Sequence, residues 1–130
     1  MGIIKYYNFD DSELFIFDEF IINQIKEGSV IEPHHNDKLN EIIQKHFSGK
    51  NIVYISNRVK SYSVNPLTYK DTSKIPNLVA IAMIPKPEIM RKNAEYEKKF
   101  FDTPYEIFDS LSRSIEWVHH LLKAIRENNR

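Results

Sequence analysis

Two short runs of apolar residues, 52–55 and 78–84, constrain the fold of this chain more than any other feature. Continuous apolar runs of this length are typical of strands that are buried on both faces of a sheet. Segments with helical spacing lie before, between and after the two runs. Strands that alternate with helices predict parallel neighbours joined by right-handed crossovers, and therefore an α/β fold.

Four helices are predicted from apolar spacing and from helix-end signals. The first begins near Pro33 and ends before Gly49. The second begins near Pro66, where Ser63 or Asn65 would serve as its cap. The third extends from about 88 to 101 and the fourth from about 111, with a polar tail from about 126.

The faces of the last two helices are predicted from the same spacing. On the third helix, one face is formed by Ile89, Asn93, Tyr96 and Phe100. The basic residues of this helix are balanced by Glu88, Glu95 and Glu97, which predicts a solvated face. On the fourth helix, which Asp109 or Ser110 would cap, the apolar stripe consists of Leu111, Ile115, Val118, Leu122 and Ile125.

The N-terminal part predicts antiparallel strands. Residues 3–9 form one strand, and residues 14–17 and 20–25 form a hairpin with a turn at Asp18-Glu19. A brief strand at 105–108 is expected near an edge. The predicted order is β-β-β-α-β-α-β-α-β-α, in one domain spanning 1–130. Four or five of the strands are expected in one mixed sheet with about four helices, and the sequence leaves open whether residues 3–9 join that sheet.

Composition excludes several classes of function. The formal net charge is +0, which gives no basis for nucleic-acid binding and leaves a homodimer open. There is no cysteine, and the three glycines exclude Gly-rich phosphate loops, so no cofactor is expected. The longest apolar run, 78–85, is far shorter than the ~20 residues of a membrane span. A cytoplasmic protein is therefore expected.

Seven segments spread along the chain resemble segments of a known fold. They are residues 25–28, 53–58, 61–66, 72–78, 98–101, 104–108 and 114–117. Together with the predicted element order, they resemble the STAS-like fold of anti-sigma-factor antagonists and of the cytoplasmic tails of sulfate transporters. Within that fold they resemble an uncharacterised bacterial branch of small proteins described as STAS/SEC14-like. The resemblance implies a STAS-like topology over nearly the whole chain and no particular activity.

The polar segment 56–66, which follows the first apolar run, is the candidate site. Ligands bind at the carboxyl ends of strands in open α/β sheets, so this position favours function. The candidate residues for binding a partner or ligand are Asn57, Arg58, Ser61, Tyr62, Ser63 and Asn65. The alternative interpretation is structural, with Ser63 and Asn65 as helix caps and Asn57 bound to loop backbone.

Ser63 is also a candidate for phosphorylation. In the anti-sigma-factor antagonists that the chain resembles, an Asp-Ser-x-Gly signature occupies the corresponding place. This chain has Ser61-Tyr62-Ser63-Val64-Asn65 there, with neither the acidic residue nor the glycine. A phosphate on Ser63 would add about −1.5 to −2 charge near a helix start.

No catalytic or metal-binding motif accompanies this segment. The pairs His34-His35 and His119-His120 would each offer one ligand at most, because adjacent residues on a helix point about 100° apart. The leading hypothesis is therefore a non-enzymatic binding or regulatory module that engages a protein or a small apolar or anionic ligand. The alternative is a carrier of an apolar or lipid-like ligand between sheet and helices. The excess of aromatic residues at Tyr96, Phe100, Phe101, Tyr105 and Phe108 motivates that alternative.

Overall fold

A computed structural model describes residues 4–60, 62–65 and 67–128. The strands are β1 (Lys5–Asn8), β2 (Ser12–Ile16), β3 (Phe20–Ile25), β4 (Val30–Ile31), β5 (Ile52–Arg58), β6 (Ser63–Val64), β7 (Leu78–Pro85) and β8 (Tyr105–Ile107). The helices are α1 (His35–Phe47), α2 (Leu67–Ser73), α3 (Glu88–Glu97) and α4 (Leu111–Asn128). A single 3₁₀ turn, Lys98–Phe100, follows α3.

The strands form a mixed six-stranded sheet in the order β1-β2-β3-β5-β7-β8. The first three strands are antiparallel, and β3, β5, β7 and β8 are parallel. The α/β class, the four helices and the mixed sheet are as predicted. The sheet has six strands rather than four or five, because the edge segments β1 and β8 both pair with it.

The sequence analysis did not predict the second sheet, which has two strands. It joins β4 to β6 in parallel, with Val30 opposite Ser63 and Ile31 opposite Val64. Strands of two residues have no periodicity to detect. Their pairing depends on the fold, which brings the segment before α1 beside the segment before α2.

The two faces of the main sheet carry separate hydrophobic cores. On one face α1 and α3 pack against the sheet, with α2 beside α1; Ile21, Ile43 and Ile81 are buried here. On the other face lies α4, whose predicted apolar stripe packs over Phe20 and Ile55. Because side chains of a strand alternate between faces, each central strand contributes to both cores.

Several helix ends confirm the sequence analysis. Gly49 follows α1 with φ +76°, a conformation that L residues adopt at a cost. The Oδ1 atom of Asn65 accepts from the backbone N–H of Leu67 at 3.1 Å, so Asn65 rather than Ser63 caps α2. Ser110 Oγ accepts from the N–H of Arg113 at 3.3 Å at the start of α4. The helix α4 continues through Asn128, beyond the point where a polar tail was predicted.

The predicted face of α3 was wrong. Ile89 and Tyr96 are 63% and 55% exposed, whereas Met90, Ala94 and Glu97 are buried. Glu97 was assigned to a solvated face because a carboxylate is rarely buried. Its burial depends on a partner outside α3, which is Arg58 of β5. The pattern of α3 by itself gives no sign of this partner.

Candidate functional site

A cavity of about 510 Å³ lies between the sheet and the helices α1 and α2. Its floor is formed by alternate residues of β3, β5 and β7, including Asn23, Tyr54 and Met83. Val64 of the small second sheet also lines it. The helices are joined above the floor by Asn36, whose side chain donates to Thr68 O at 2.9 Å. The cavity is therefore framed by elements distant in sequence.

The walls of the cavity combine apolar and polar side chains. The apolar residues include Leu14, Ile25, Ile31, Leu39, Val64, Ile81, Met83 and Phe101. The polar residues of the interior are Asn23, Asn36, Tyr54, Ser56, Arg58, Tyr62, Thr68, Tyr69 and Thr72. Such walls suit a molecule with an apolar body and a polar head.

A buried ion pair stands at one end of the cavity. The guanidinium of Arg58 donates to both carboxylate oxygens of Glu97, from Nη1 to Oε2 at 3.0 Å and from Nη2 to Oε1 at 2.5 Å. Only 3% of Arg58 and 7% of Glu97 are exposed. Burial by itself lowers the pKa of Arg58, but Tyr62 and Glu97 raise it above its ordinary value. Arg58 therefore stays protonated and its charge is balanced inside the protein.

Tyrosine rings surround this ion pair. The guanidinium carbon of Arg58 lies 5.1 Å from the centroid of the Tyr62 ring, a cation–π contact. The hydroxyl of Tyr54 accepts from Asn23 Nδ2 at 2.5 Å. Burial raises the pKa of Tyr54, Tyr62 and Tyr69 above the ordinary value of 10.0. These phenols are therefore uncharged near neutral pH.

This burial predicts sensitivity to alkali. Above pH ~10 the tyrosines of the unfolded chain lose their protons while the buried ones keep theirs, so the unfolded state binds fewer protons. We expect the contribution of these tyrosines to the free energy of unfolding to be constant below about pH 9 and to fall as the pH rises above about 10. Urea midpoints measured across this range test it. Tyr69→Phe should make the fall shallower, and a midpoint independent of alkaline pH would contradict the burial of these phenols.

Two buried polar atoms beneath the cavity wall have no partner among the described residues. They are Nε of Arg58 and Oδ1 of Asn23, one a donor and the other an acceptor. An unsatisfied buried polar atom costs about 1–3 kcal/mol. Both residues line the cavity, so these unpartnered atoms lie next to the space that a bound molecule would fill.

The mouth of the cavity is acidic. Four carboxylates line it, from Asp10, Asp11, Asp37 and Glu41, together with one lysine, Lys38. His34 and His35 are also present, and their rings stack with centroids 4.3 Å apart. Nε2 of His35 lies 2.6 Å from Asp11 Oδ2, which ties α1 to the β1–β2 turn. With neutral histidines, the mouth carries an excess of three negative charges.

The structure brings only some of the predicted site residues to the cavity. β5 extends through Arg58, so Ser56, Asn57 and Arg58 belong to a buried strand and not to the predicted loop. Arg58 and Tyr62 line the cavity. Asn57 alternates with Arg58 along β5, so its side chain lies on the opposite face of the sheet.

Ser63 and Asn65 do not line the cavity. Ser63 is exposed in β6, and its N–H donates to Ser29 O at 2.9 Å. Asn65 caps α2 and donates from Nδ2 to Glu32 Oε2 at 2.9 Å. Ser61 and Pro66 lie outside the described residues. Phe101, one of the aromatic residues that motivated the carrier alternative, stacks on Tyr105 at 5.1 Å and lines the cavity.

Sequence reasoning missed most of the cavity residues. Asn23 and Tyr54 were assigned to strands without a role, and Glu97, the partner of Arg58, was assigned to a solvated helix face. One signal was available for Asn23, since a polar residue inside an apolar strand is costly to bury unless it has a partner.

One histidine of each pair contacts a carboxylate. His119 Nδ1 lies 3.1 Å from Glu19 Oε2, on the α4 side of the sheet, and His35 contacts Asp11. Within the ranges 4–60, 62–65 and 67–128, no group of three or more potential ligands is arranged to hold a metal ion. None of the helices in these ranges has the length and apolar character needed to cross a bilayer.

Comparison with solved structures identifies a SpoIIAA-like fold. The chain is similar to the crystal structure of an uncharacterised protein of the DUF3478 family, with a SpoIIAA-like fold, from Shewanella loihica PV-4. The match covers 90% of this chain and 92% of that chain, with a TM-score of 0.51 and 10% sequence identity. At this identity the likeness shows the fold alone, and it confirms the predicted STAS-like topology. No protein-family model and no curated protein matches the chain.

Proposed function

We propose that this protein is a non-enzymatic binding module that holds a small amphipathic organic molecule in the cavity. The cavity itself carries the proposal, with its volume of about 510 Å³ and its walls of mixed character. Small-molecule sites have volumes of ~300–1,000 Å³, apolar walls and a few placed polar groups. A binding role also fits a SpoIIAA-like fold.

The hypothesis of a partner-binding loop at 56–66 stays a prediction, as do phosphorylation of Ser63 and homodimer formation. The burial of Arg58 and Tyr62 favours the cavity over an exposed loop as the binding element. Ser63 is exposed and would accept a phosphate without disturbing the core. The proposal therefore places the ligand inside the domain and leaves the outer surface of β6 to any partner.

The occupancy of the cavity can be tested by filling it. Val64→Trp places a large ring at a position that lines the cavity, and we expect it to weaken binding of the neutral fluorescent dye prodan at least about tenfold, since about 1.4 kcal/mol of lost contact suffices. Val30→Trp is the matched control, because Val30 lies in the same two-stranded sheet but is 58% exposed. Fluorescence titration of the three proteins gives the affinities.

Equal affinity in all three proteins would contradict the proposal, and so would the absence of saturable binding to the wild type. Circular dichroism should show that both variants retain the fold, because overpacking at a half-buried site costs about 1–3 kcal/mol. Native mass spectrometry of gently purified protein provides a second readout, in which a copurified molecule appears as a noncovalent adduct that Val64→Trp removes.

A further inference from the structure

The charges around the cavity define the kind of head group that fits it. Arg58 is the one charged side chain of the interior wall among the described residues, and Glu97 already neutralises it through two hydrogen bonds. An ionised head would therefore enter a low-dielectric space that holds no free counter-charge. Burial of an unpaired charge is far more costly than burial of a hydrogen-bonded neutral group.

The mouth discriminates further between anions and cations. Four carboxylates and one lysine line it, so an anion must pass an excess of negative charge to reach the interior. A cation is attracted to these carboxylates but gains no unpaired carboxylate beyond them, because Glu97 is engaged by Arg58. A carboxylate or phosphate head is therefore disfavoured both by the negative charge of the mouth and by the lack of a free counter-charge inside. An ammonium head is disfavoured by the interior alone.

The two unpartnered polar atoms of Arg58 and Asn23 favour a head group that both donates and accepts hydrogen bonds. The Nε–H of Arg58 requires an acceptor, and the Oδ1 of Asn23 requires a donor. Ser56 and Tyr62, whose hydroxyl oxygens lie 3.4 Å apart, can act as either. A primary amide, a lactam or the edge of a heterocyclic base carries both a donor and an acceptor without a net charge.

We propose that the cavity selects uncharged ligands whose polar head carries both a hydrogen-bond donor and an acceptor, as an amide does. This inference rests on the proposed function and gives the ligand a chemical class. It departs from the expectation of an anionic ligand that the sequence suggested. The carboxylate heads of fatty acids and the phosphate heads of phospholipids are excluded by the same charges.

Three probes that share a naphthalene ring and differ in their head group test the inference. Isothermal titration calorimetry of the wild type with 2-naphthamide, 2-naphthoate and 2-naphthylmethylammonium should give at least about tenfold tighter binding of the amide than of either ion. Equal or tighter binding of the carboxylate or the ammonium overturns the inference while leaving a functional cavity. Binding of none of the three, together with failure of prodan to bind, overturns the proposed function itself.

A variant of the ion pair provides a second test. Glu97→Gln removes the counter-charge of Arg58, so the interior gains a net positive charge. We expect the ratio of naphthoate to naphthamide affinity to rise about tenfold, because a carboxylate forms a charge-assisted hydrogen bond with the guanidinium. Val30→Trp, which leaves the cavity unaltered, should retain the wild-type ratio. A ratio in folded Glu97→Gln that equals the wild-type value contradicts the inference, and the wild-type series decides the matter if the variant does not fold.

Discussion

Glu97→Ala is expected to lower the free energy of unfolding by about 3–5 kcal/mol. The substitution leaves the guanidinium of Arg58, of which 3% is exposed, without its counter-charge inside the protein. Desolvation of an uncompensated charge is among the largest effects of a single substitution. Urea unfolding followed by circular dichroism measures the change.

The double variant Arg58→Met/Glu97→Leu is the matched control. It removes both charges and fills much of their volume, and buried ion pairs replaced in this way are often neutral or stabilising. We expect its free energy of unfolding to lie within about 1 kcal/mol of the wild type, or above it. If the single variant lost less than about 1 kcal/mol, the pair would be solvated and the balance of charge in the cavity would need another account.

Phe20→Ala is expected to lower the free energy of unfolding by about 3–5 kcal/mol. Phe20 is fully buried, its ring is stacked on Phe17 at 4.7 Å, and it belongs to the core beneath α4. Removal of the ring loses transfer free energy and leaves a void that the packed sheet cannot close. Tyr96→Ala, at a position 55% exposed on α3, should change stability by about 0.5 kcal/mol.

The Phe20→Ala variant also tests whether stability and ligand binding depend on different faces of the sheet. Its side chain lies on the face of the sheet opposite the cavity, so folded Phe20→Ala should bind prodan with the affinity of the wild type. A loss of binding that matched the loss at Val64→Trp would show that the two faces are coupled. Glu97→Ala, in contrast, should alter both stability and ligand preference.

The proposed binding role accounts for the polar residues that this chain carries at costly buried positions. Asn23 and Arg58 lie in central strands of the sheet, where apolar side chains would pack with fewer requirements. Arg58 needs Glu97 from α3, and Asn23 bonds Tyr54 across neighbouring strands. Positions that break the local rule for a buried strand are expected at functional sites, where other parts of the structure compensate.

Much of the architecture was determined by local sequence pattern. The apolar run at β7, the caps at Asn65 and Ser110, and the stripe of α4 all follow from periodicity and from helix-end chemistry, which act over a few residues. These signals were sufficient for the α/β class, the four helices and the parallel core of the sheet. The STAS-like topology was expected from the resemblance of particular segments to a known fold, and not from these signals alone.

The site was decided by the tertiary structure. Ser56, Asn57 and Arg58 look like the start of a polar loop, and Glu97 looks like a solvated helix residue, because each is costly to bury without a partner. The fold brings Arg58 and Glu97 together although they are 39 residues apart in the chain, and it buries the guanidinium with the carboxylate. Local pattern therefore determined the four helices and the strands of the main sheet, but neither the β4–β6 pairing nor the buried face of α3. Long-range packing determined which charges could leave water, and with them the cavity.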